Sequence, residues 1–444
     1  MRLPTINLPS KTASDGVWSL IASLAGFAAG LVTLKLVTRF IAPGDYGQVG
    51  LSLGVIVLLN NLLIGPVLTM HMRVYFEYLE RKMGRWYSRT FNVVLLGVGV
   101  IAVGIYALIG LCYTPKDGRS LLNLFIPASL LILSQVYLGS LTNYVEAHRM
   151  YKRLALIKVA TKFSYPAALA LLLTLTTLNR PWAILLSQGV AIVPALLFFN
   201  SIKDQKASDS VPEDSKAEML VMKNAFLSFG LALPLGYLVH WGLSTSDRYL
   251  IGHFLSLDEV GVYIINCGLW SAPFLILSGW LETWTRPHIY EGASKGDWVK
   301  VRRVLGKRLV ISTLACAMGT VVILALRGLL IRVFIGDKYM VGMPFVFFVC
   351  LAQTFLVIGS SILPFFLACK QANSILLATL TAALIDISLN ILLLPKLGIL
   401  ASAAASLAGY LVWSIVLGFN AAIMLNKFMS AAKYKGAKYD LKAV

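Results

Sequence analysis

The chain has 444 residues, of which 58% are hydrophobic and only 13% charged, against roughly 25% charged in soluble domains; a water-soluble fold is excluded. The net charge of +19 does not point to nucleic acid, because a nucleic-acid reader gathers Lys and Arg on one soluble face, whereas here they alternate with apolar stretches of about twenty residues. The basic partner is the membrane surface.

About twenty apolar residues cross a bilayer core as a helix, and a scan at that length gives twelve spans. The first ten residues lack the charged start, short apolar core and cleavage site of a signal peptide, so the first span, Gly16–Thr38, is expected to stay as an anchor. It carries Lys35, with Arg39 four residues on and on the same helix face, and its Gly26-x-x-x-Gly30 spacing predicts close packing within a bundle. Next come Gly47–Met70, Phe91–Cys112 and Leu121–Tyr144. Leu154–Leu178 carries Lys162 one turn after Lys158 and before Pro166, which predicts a kink. Trp182–Phe199 closes the first half.

Ser201–Ala217 is the longest polar stretch and reads as a linker. The second half begins with Phe226–Thr245, followed by Asp247-Arg248 at its outer end. Val260–Trp284 has Glu282 near its inner end, with Arg286 placed to neutralise it. Leu309–Leu329 and Val341–Leu367 follow. Ser374–Leu394 holds Asp386 in its middle and Asn390 one turn on; Leu400–Leu425 is the last. Trp86, Trp241, Trp280, Trp284 and Trp298 fall near span ends as interfacial belt residues. The five cysteines lie scattered without metal-ligand spacing, the five histidines are dispersed, and there is no phosphate-binding G-x-x-x-x-G-K-[ST] loop. Hydrolytic, metal and nucleotide chemistry therefore have no seat in the sequence.

With the N-terminus inside, 28 of the 39 basic residues fall in cytoplasmic segments and nine in outer connections, so both termini are expected in the cytoplasm. Shifting the chain by 214 residues aligns Phe40–Glu77 with Phe254–Glu291 without gaps, with seven identities in 38 positions, three of them glycine. The expectation is an all-α polytopic membrane protein of about twelve helices in two six-helix bundles, related by a pseudo-two-fold axis along the membrane normal. The bundles are placed at 1–200 and 223–426, the linker at 201–222 and a basic cytoplasmic tail at 427–444.

Thr38-Arg39-Phe40-Ile41-Ala42-Pro43-Gly44-Asp45-Tyr46-Gly47 resembles the R-x-L-G-P-x-x-Y-G turn of the Wzx-type polysaccharide flippases, within the multidrug/oligosaccharidyl-lipid/polysaccharide exporter superfamily. Ser246-Asp247-Arg248-Tyr249-Leu250-Ile251-Gly252, with Val260-Gly261-Val262-Tyr263, resembles the family's S-D-R-x-x-x-G and V-G-x-Y signature. Leu394-Pro395-Lys396-Leu397-Gly398-Ile399 before Ala401–Ala405 is similar to its entry into the last span. The resemblance implies a non-enzymatic transporter in the bacterial inner membrane. Its implied substrate is an undecaprenyl-diphosphate-linked oligosaccharide for surface polysaccharides such as O-antigen, lipopolysaccharide or exopolysaccharide. Alternating access driven by an ion gradient, contact with polysaccharide assembly proteins and no bound cofactor are implied with it.

An ionisable residue in a span is costly and tends to face a cavity or a partner. Lys35, Arg39, Lys162 and Arg248 are the candidates for a diphosphate or acidic sugars, against snorkelling to the interface as the plain alternative. Asp386, Asn390 and Asp247 are candidates to hold H+ or Na+, against a structural hydrogen bond or ion pair. Glu77 and its repeat mate Glu291, with Glu282 and Arg286, are candidates for an inner gate, against solvated or locally paired charges. Export of small cationic compounds requires acids to dominate, whereas Lys35, Arg39 and Lys162 outnumber Asp386. A polymerase or glycosyltransferase usually shows a long outer loop, which is missing. A scaffold without transport predicts that Asp386 and Lys162 are dispensable.

Overall fold

The computed structural model describes residues 10–147, 150–200, 218–220 and 232–435. Most of the expected linker, His148 and the end of the basic tail lie outside the described residues. Within the described residues the chain is helical almost throughout, with short connections and no strand. Hydrocarbon offers backbone groups no partner, and helices satisfy them internally. In chain order the helices are α1 (Ser10–Phe40), α2 (Pro43–Leu59), α3 (Gly65–Glu80), α4 (Gly84–Cys112), α5 (Phe125–Ala147), α6 (Tyr151–Leu175), α7 (Arg180–Val190) and α8 (Val193–Asn200). They continue with α9 (Ala232–Phe254), α10 (Leu257–Ser294), α11 (Trp298–Phe334), α12 (Met343–Ala368), α13 (Ala372–Leu397) and α14 (Ile399–Lys435). A π-helical segment, Asn60–Ile64, joins α2 to α3 in one span.

Among the described residues, nine spans are long and apolar enough to cross a membrane, and Arg180–Leu196 is a shorter apolar helix. The expected spans fall on helical segments: α1 and α9 carry the first and seventh, the start of the seventh (226–231) lying outside the described residues, and the sixth is divided between α7 and α8. The protein is a multi-pass, all-α membrane protein. It forms two compact units, Met1–Leu238 and Val239–Val444.

The 214-residue repeat reappears in the element boundaries. α1 ends at Phe40 and α9 at Phe254; α2 starts at Pro43 and α10 at Leu257; α3 ends at Glu80 and α10 at Ser294; α4 starts at Gly84 and α11 at Trp298. The copies differ inside the second span, which is π-distorted in the first half and α-helical throughout in the second.

In the first unit α1 packs chiefly on α6, and α7 packs on α5 and α6. Lys162 runs its stem along Gly26, where a Cβ would lie 3.9 Å from the lysine Cγ, while a Cβ on Gly30 would meet nothing. The G-x-x-x-G face of α1 thus admits a lysine stem rather than a helix backbone. α6 runs as one helix through Pro166. The turn after α1 is held from the sixth span: Arg180 donates to the Phe40 carbonyl at the end of α1, where cationic groups complement the helix dipole. Arg119 pairs with Asp45 in the first turn of α2 at 3.0 Å.

In the second unit α14 packs against both α12 and α13. Their shared core contains Phe365, Phe366, Ala378, Ala382, Trp413 and Leu417. Trp298, read from sequence as a belt residue, is instead 2% exposed and stacks on Phe428 at 4.2 Å. It opens an amphipathic stretch of α11, so its apolar ring turns inward. Trp280 and Trp284 remain exposed and stack on each other at 6.0 Å.

The α12–α14 contact depends on Gly359, whose Cβ would fall 2.5 Å from Trp413 Cε3, while a Cβ on Gly418 would meet only Ile362 Cδ1 at 3.8 Å. Trp413 is also fixed by its Nε1 donating to Thr379 Oγ1 at 3.1 Å. Gly359→Ala is expected to destabilise by about 1–3 kcal/mol, and Gly418→Ala by under about 0.5 kcal/mol, read as thermal unfolding of the full-length protein in detergent.

Candidate functional site

The second unit gathers the residues of two separate sequence motifs. Asp247 lies on α9 and is 7% exposed. One of its carboxylate oxygens accepts the Arg248 backbone N–H at 2.8 Å, and the other accepts the Tyr263 hydroxyl from α10. The aspartate of the S-D-R motif and the tyrosine of the V-G-V-Y motif are therefore direct partners. Ser256 caps α10 by accepting the Glu259 N–H at 3.2 Å, which sets the register that turns Tyr263 toward α9.

Asp386 sits in the middle of α13 with 0% exposure, and beyond a contact with the Ser406 hydroxyl of α14 neither carboxylate oxygen has a hydrogen-bond partner. Its carboxylate interacts with that of Asp247, and Ser406 and Tyr410 of α14 lie in the same electrostatic cluster. The small-residue run of α14 makes this burial possible. A Cβ on Gly409 would lie 3.1 Å from Asp386 Cβ and 3.3 Å from the Ala382 carbonyl oxygen, so the helices are in near-backbone contact. Asn390 is structurally engaged. Its Nδ2 donates to the Asp386 carbonyl at 3.0 Å, and its Oδ1 accepts from Ser402 Oγ at 2.6 Å. The sequence singles out Asp247, Asp386 and Asn390, but Tyr263, Ser402, Ser406 and Tyr410 emerge only when the helices are packed.

Two buried carboxylates, one with no side-chain partner but the Ser406 hydroxyl, are costly to keep as bare anions. Protonation of either removes its share of that penalty. Among the described residues no group of three or more His, Cys, Asp or Glu side chains is arranged for a metal ion.

A second polar cluster joins α10, α11 and α12. Arg308, placed by sequence at the edge of an inner connection, has 0% exposure. It donates to Thr285 Oγ1 at 2.7 Å, Glu282 at 3.1 Å and the Ser360 carbonyl at 3.4 Å. Arg286, half exposed, reaches Glu282 at 3.6 Å. Glu282 therefore bridges a sealed and an open guanidinium. The signal for Arg308 lay in the periodicity of α11, where Val301, Leu305, Arg308, Ser312 and Cys316 form one buried face.

The other candidates make no hydrogen bond within these clusters except Arg248, whose backbone N–H goes to Asp247. Lys35 and Arg39 on α1 and Lys162 on α6 are exposed, on two helices that pack together. Arg248 is half-buried. Glu291 accepts from Lys295 at 2.6 Å and Lys300 at 2.9 Å at the turn into α11, whereas its mate Glu77 is an exposed residue of α3. In the first unit His71 is buried in an aromatic stack, 3.9 Å from Phe91 and 5.4 Å from Tyr87 between ring centres.

The sequence model of a family described as polysaccharide biosynthesis protein matches residues 36–344. The chain belongs to that family. No curated protein matches it closely enough to count as a relative. Its fold is shared with solved structures at low identity. One is an inward-facing multidrug resistance MATE family transporter of the MOP superfamily, with TM-score 0.72, 12% identity, and 93% of this chain and 96% of that one covered. Another is the lipid II flippase MurJ in an inward closed conformation, with TM-score 0.70, 14% identity, and 97% and 94% covered. A third is the eukaryotic MATE transporter AtDTX14, with TM-score 0.62, 14% identity, and 94% and 97% covered.

On the polar side of the first unit, Glu218, from the segment between the two halves, accepts from Tyr78 at 2.8 Å and from both terminal nitrogens of Arg81. Arg81, then Tyr78, hold its carboxyl below the ordinary 4.5. A carboxyl lowered by folding stabilises the docked segment above its ordinary value, and that stabilisation is lost as pH falls through the lowered one. The Tyr78 ring lies 6.0 Å from Trp86, so a Trp86-only variant is expected to keep constant emission from pH 7 to pH 5 and to change below the ordinary carboxyl value. Glu218→Gln is expected to abolish that change.

Arg308 and Arg286 are expected to separate in a stability measurement. Arg308→Leu strands Glu282 and Thr285 and is expected to cost about 3–5 kcal/mol, while Arg286→Leu is expected to cost under about 1 kcal/mol. Chemical unfolding in mixed micelles reads both.

Proposed function

We propose that this protein is a flippase that carries an undecaprenyl-diphosphate-linked oligosaccharide across the bacterial inner membrane for surface polysaccharide synthesis. It works by alternating access, with both termini in the cytoplasm. The observation that carries the coupling is Asp386, a mid-span carboxylate of 0% exposure whose one side-chain contact is the Ser406 hydroxyl, in the same buried cluster as the Tyr263-anchored Asp247. A buried charge with so little around it is costly to keep for structure alone; loading H+ or Na+ at this pair gives it a function. Membership of the polysaccharide biosynthesis family favours a glycan substrate over a drug, and a fold shared with transporters and flippases favours transport over glycosyl transfer or scaffolding. Lys35, Arg39 and Lys162 supply cations for the diphosphate, Arg more rigidly than Lys.

In this reading the proton or sodium ion at Asp386 and Asp247 biases the second bundle between its two access states. Asp247 is held by Tyr263 and the Arg248 N–H, while Asp386 has only the Ser406 hydroxyl beside it, so in this proposal Asp386 is the group that gains and loses the ion. Asn390 keeps the Asp386 turn in place through Ser402.

Deletion of the gene in a strain without a redundant flippase is expected to leave lipid-linked oligosaccharide on the inner leaflet, detected by leaflet-specific labelling. Normal glycan display outside would remove the proposal. Asp386→Asn is expected to retain membrane insertion and thermal stability but to lower gradient-driven transport in vesicles at least about tenfold, the usual scale for losing a group that handles a proton. Transport by Asp386→Asn equal to wild type would detach the ion from this site.

A further inference from the structure

The second span of the first unit carries a polar break that its repeat mate lacks. Asn60 and Asn61 open the π-helical segment, near the middle of the span Pro43–His71. Gly65 gives its N–H to the Asn60 carbonyl, five residues back instead of four. The next residue, Pro66, has no N–H to give. The Asn61 carbonyl thereby loses both its α-helical donor and its π-helical one. The Asn60 and Asn61 side chains are half-buried, and among the described residues neither side chain makes a hydrogen bond. The distortion is not needed to cross the membrane at this level. The mate of Asn60, 214 residues on, is Phe274, an apolar residue buried at 2% exposure in a helix that stays α-helical past Pro273.

Irregular backbone at membrane depth is tolerated where it is buried in protein or lines a cavity; the Asn60 and Asn61 side chains are not fully buried, which favours a cavity, and π-bulges concentrate at functional positions. Two primary amides and a carbonyl offer neutral donors and acceptors side by side. That set suits hydroxyl groups, each of which donates and accepts. It offers a phosphate no cation, and an apolar compound nothing that would offset the unpaired amides.

We propose that Asn60, Asn61 and the freed Asn61 carbonyl form a hydroxyl-binding notch for the sugar part of the substrate, separate from the cations Lys35, Arg39 and Lys162. The inference rests on the flippase reading. Within it, the notch makes Asn60 and Asn61 specificity residues for the glycan and not for the lipid diphosphate.

The test compares two probes on purified full-length protein in nanodiscs: lipid-linked oligosaccharide extracted from the native strain, and sugar-free undecaprenyl diphosphate. Asn60→Leu and Asn61→Leu are each expected to weaken binding of the glycosylated lipid about tenfold, the scale of one or two lost hydrogen bonds, with the sugar-free lipid unaffected. Equal losses for both lipids, or no loss for the glycosylated one, overturn the notch while leaving the flippase standing. Failure of the wild type to bind either lipid removes the flippase reading and the notch with it. Should the leucine variants misfold, Asn61→Cys in a background without the five native cysteines supplies a second readout. It is expected to react with a small water-soluble thiol reagent and to be protected by the glycosylated lipid but not by the sugar-free one. An unreactive thiol, or protection by both lipids alike, refutes the notch.

Discussion

Hydrocarbon solvates no polar atom, so every polar group inside a span must find its partner within the protein, and the structure is organised by that demand. Most groups meet it locally. Ser and Thr side chains on many spans donate to a carbonyl three or four residues back, as Thr33 does to Ala29 and Ser360 to Leu356. Others meet it across helices: Asn266 donates to the Tyr339 carbonyl at 2.8 Å and accepts from Trp270 at 3.1 Å, and Ser52 pairs with Tyr106 at 2.7 Å. Arg308 meets it across three helices. Against this background Asp386 and the Asn60–Asn61 break stand out, although single atoms of Trp298, Arg308, Arg327 and Gln353 are also buried without a partner.

The two halves use one scaffold for different chemistry. Repeat-related boundaries at both ends of the second span show that the same helical framework underlies both copies. Within it, the second unit has a carboxylate pair enclosed by close-packed small residues, and the first has exposed cations, a distorted span and an aromatic stack. Small side chains on α14 let Gly409 approach Asp386 and Ala382 closely enough to exclude water, which raises the value of any ion held there.

The helical class, the spans and their order were legible from hydropathy alone, because twenty apolar residues admit few structures in a bilayer. The repeat was legible because its glycines and its spacing survive in the amino-acid order. Asp386 and Asp247 were visible because a charge in an apolar run has no plain explanation. Arg308 was misplaced because it follows Lys307 at the edge of a basic stretch, where hydropathy cannot separate a snorkelling arginine from a sealed one. Trp298 was misplaced for a related reason, since position near a span end does not tell which face of the helix a ring occupies.

The amino-acid order by itself determined the helical class, the positions of the apolar segments and most of the charges at depth, because these depend on local composition and the cost of desolvation. Only the tertiary structure decided which polar groups are satisfied. Tyr263 completes Asp247, Ser402 engages Asn390, Arg308 is closed off by Thr285 and Glu282, and Asp386 is left with little beside the Ser406 hydroxyl. A hydrogen bond between helices depends on rotation and depth in two segments at once, and neither is written in the residues of one.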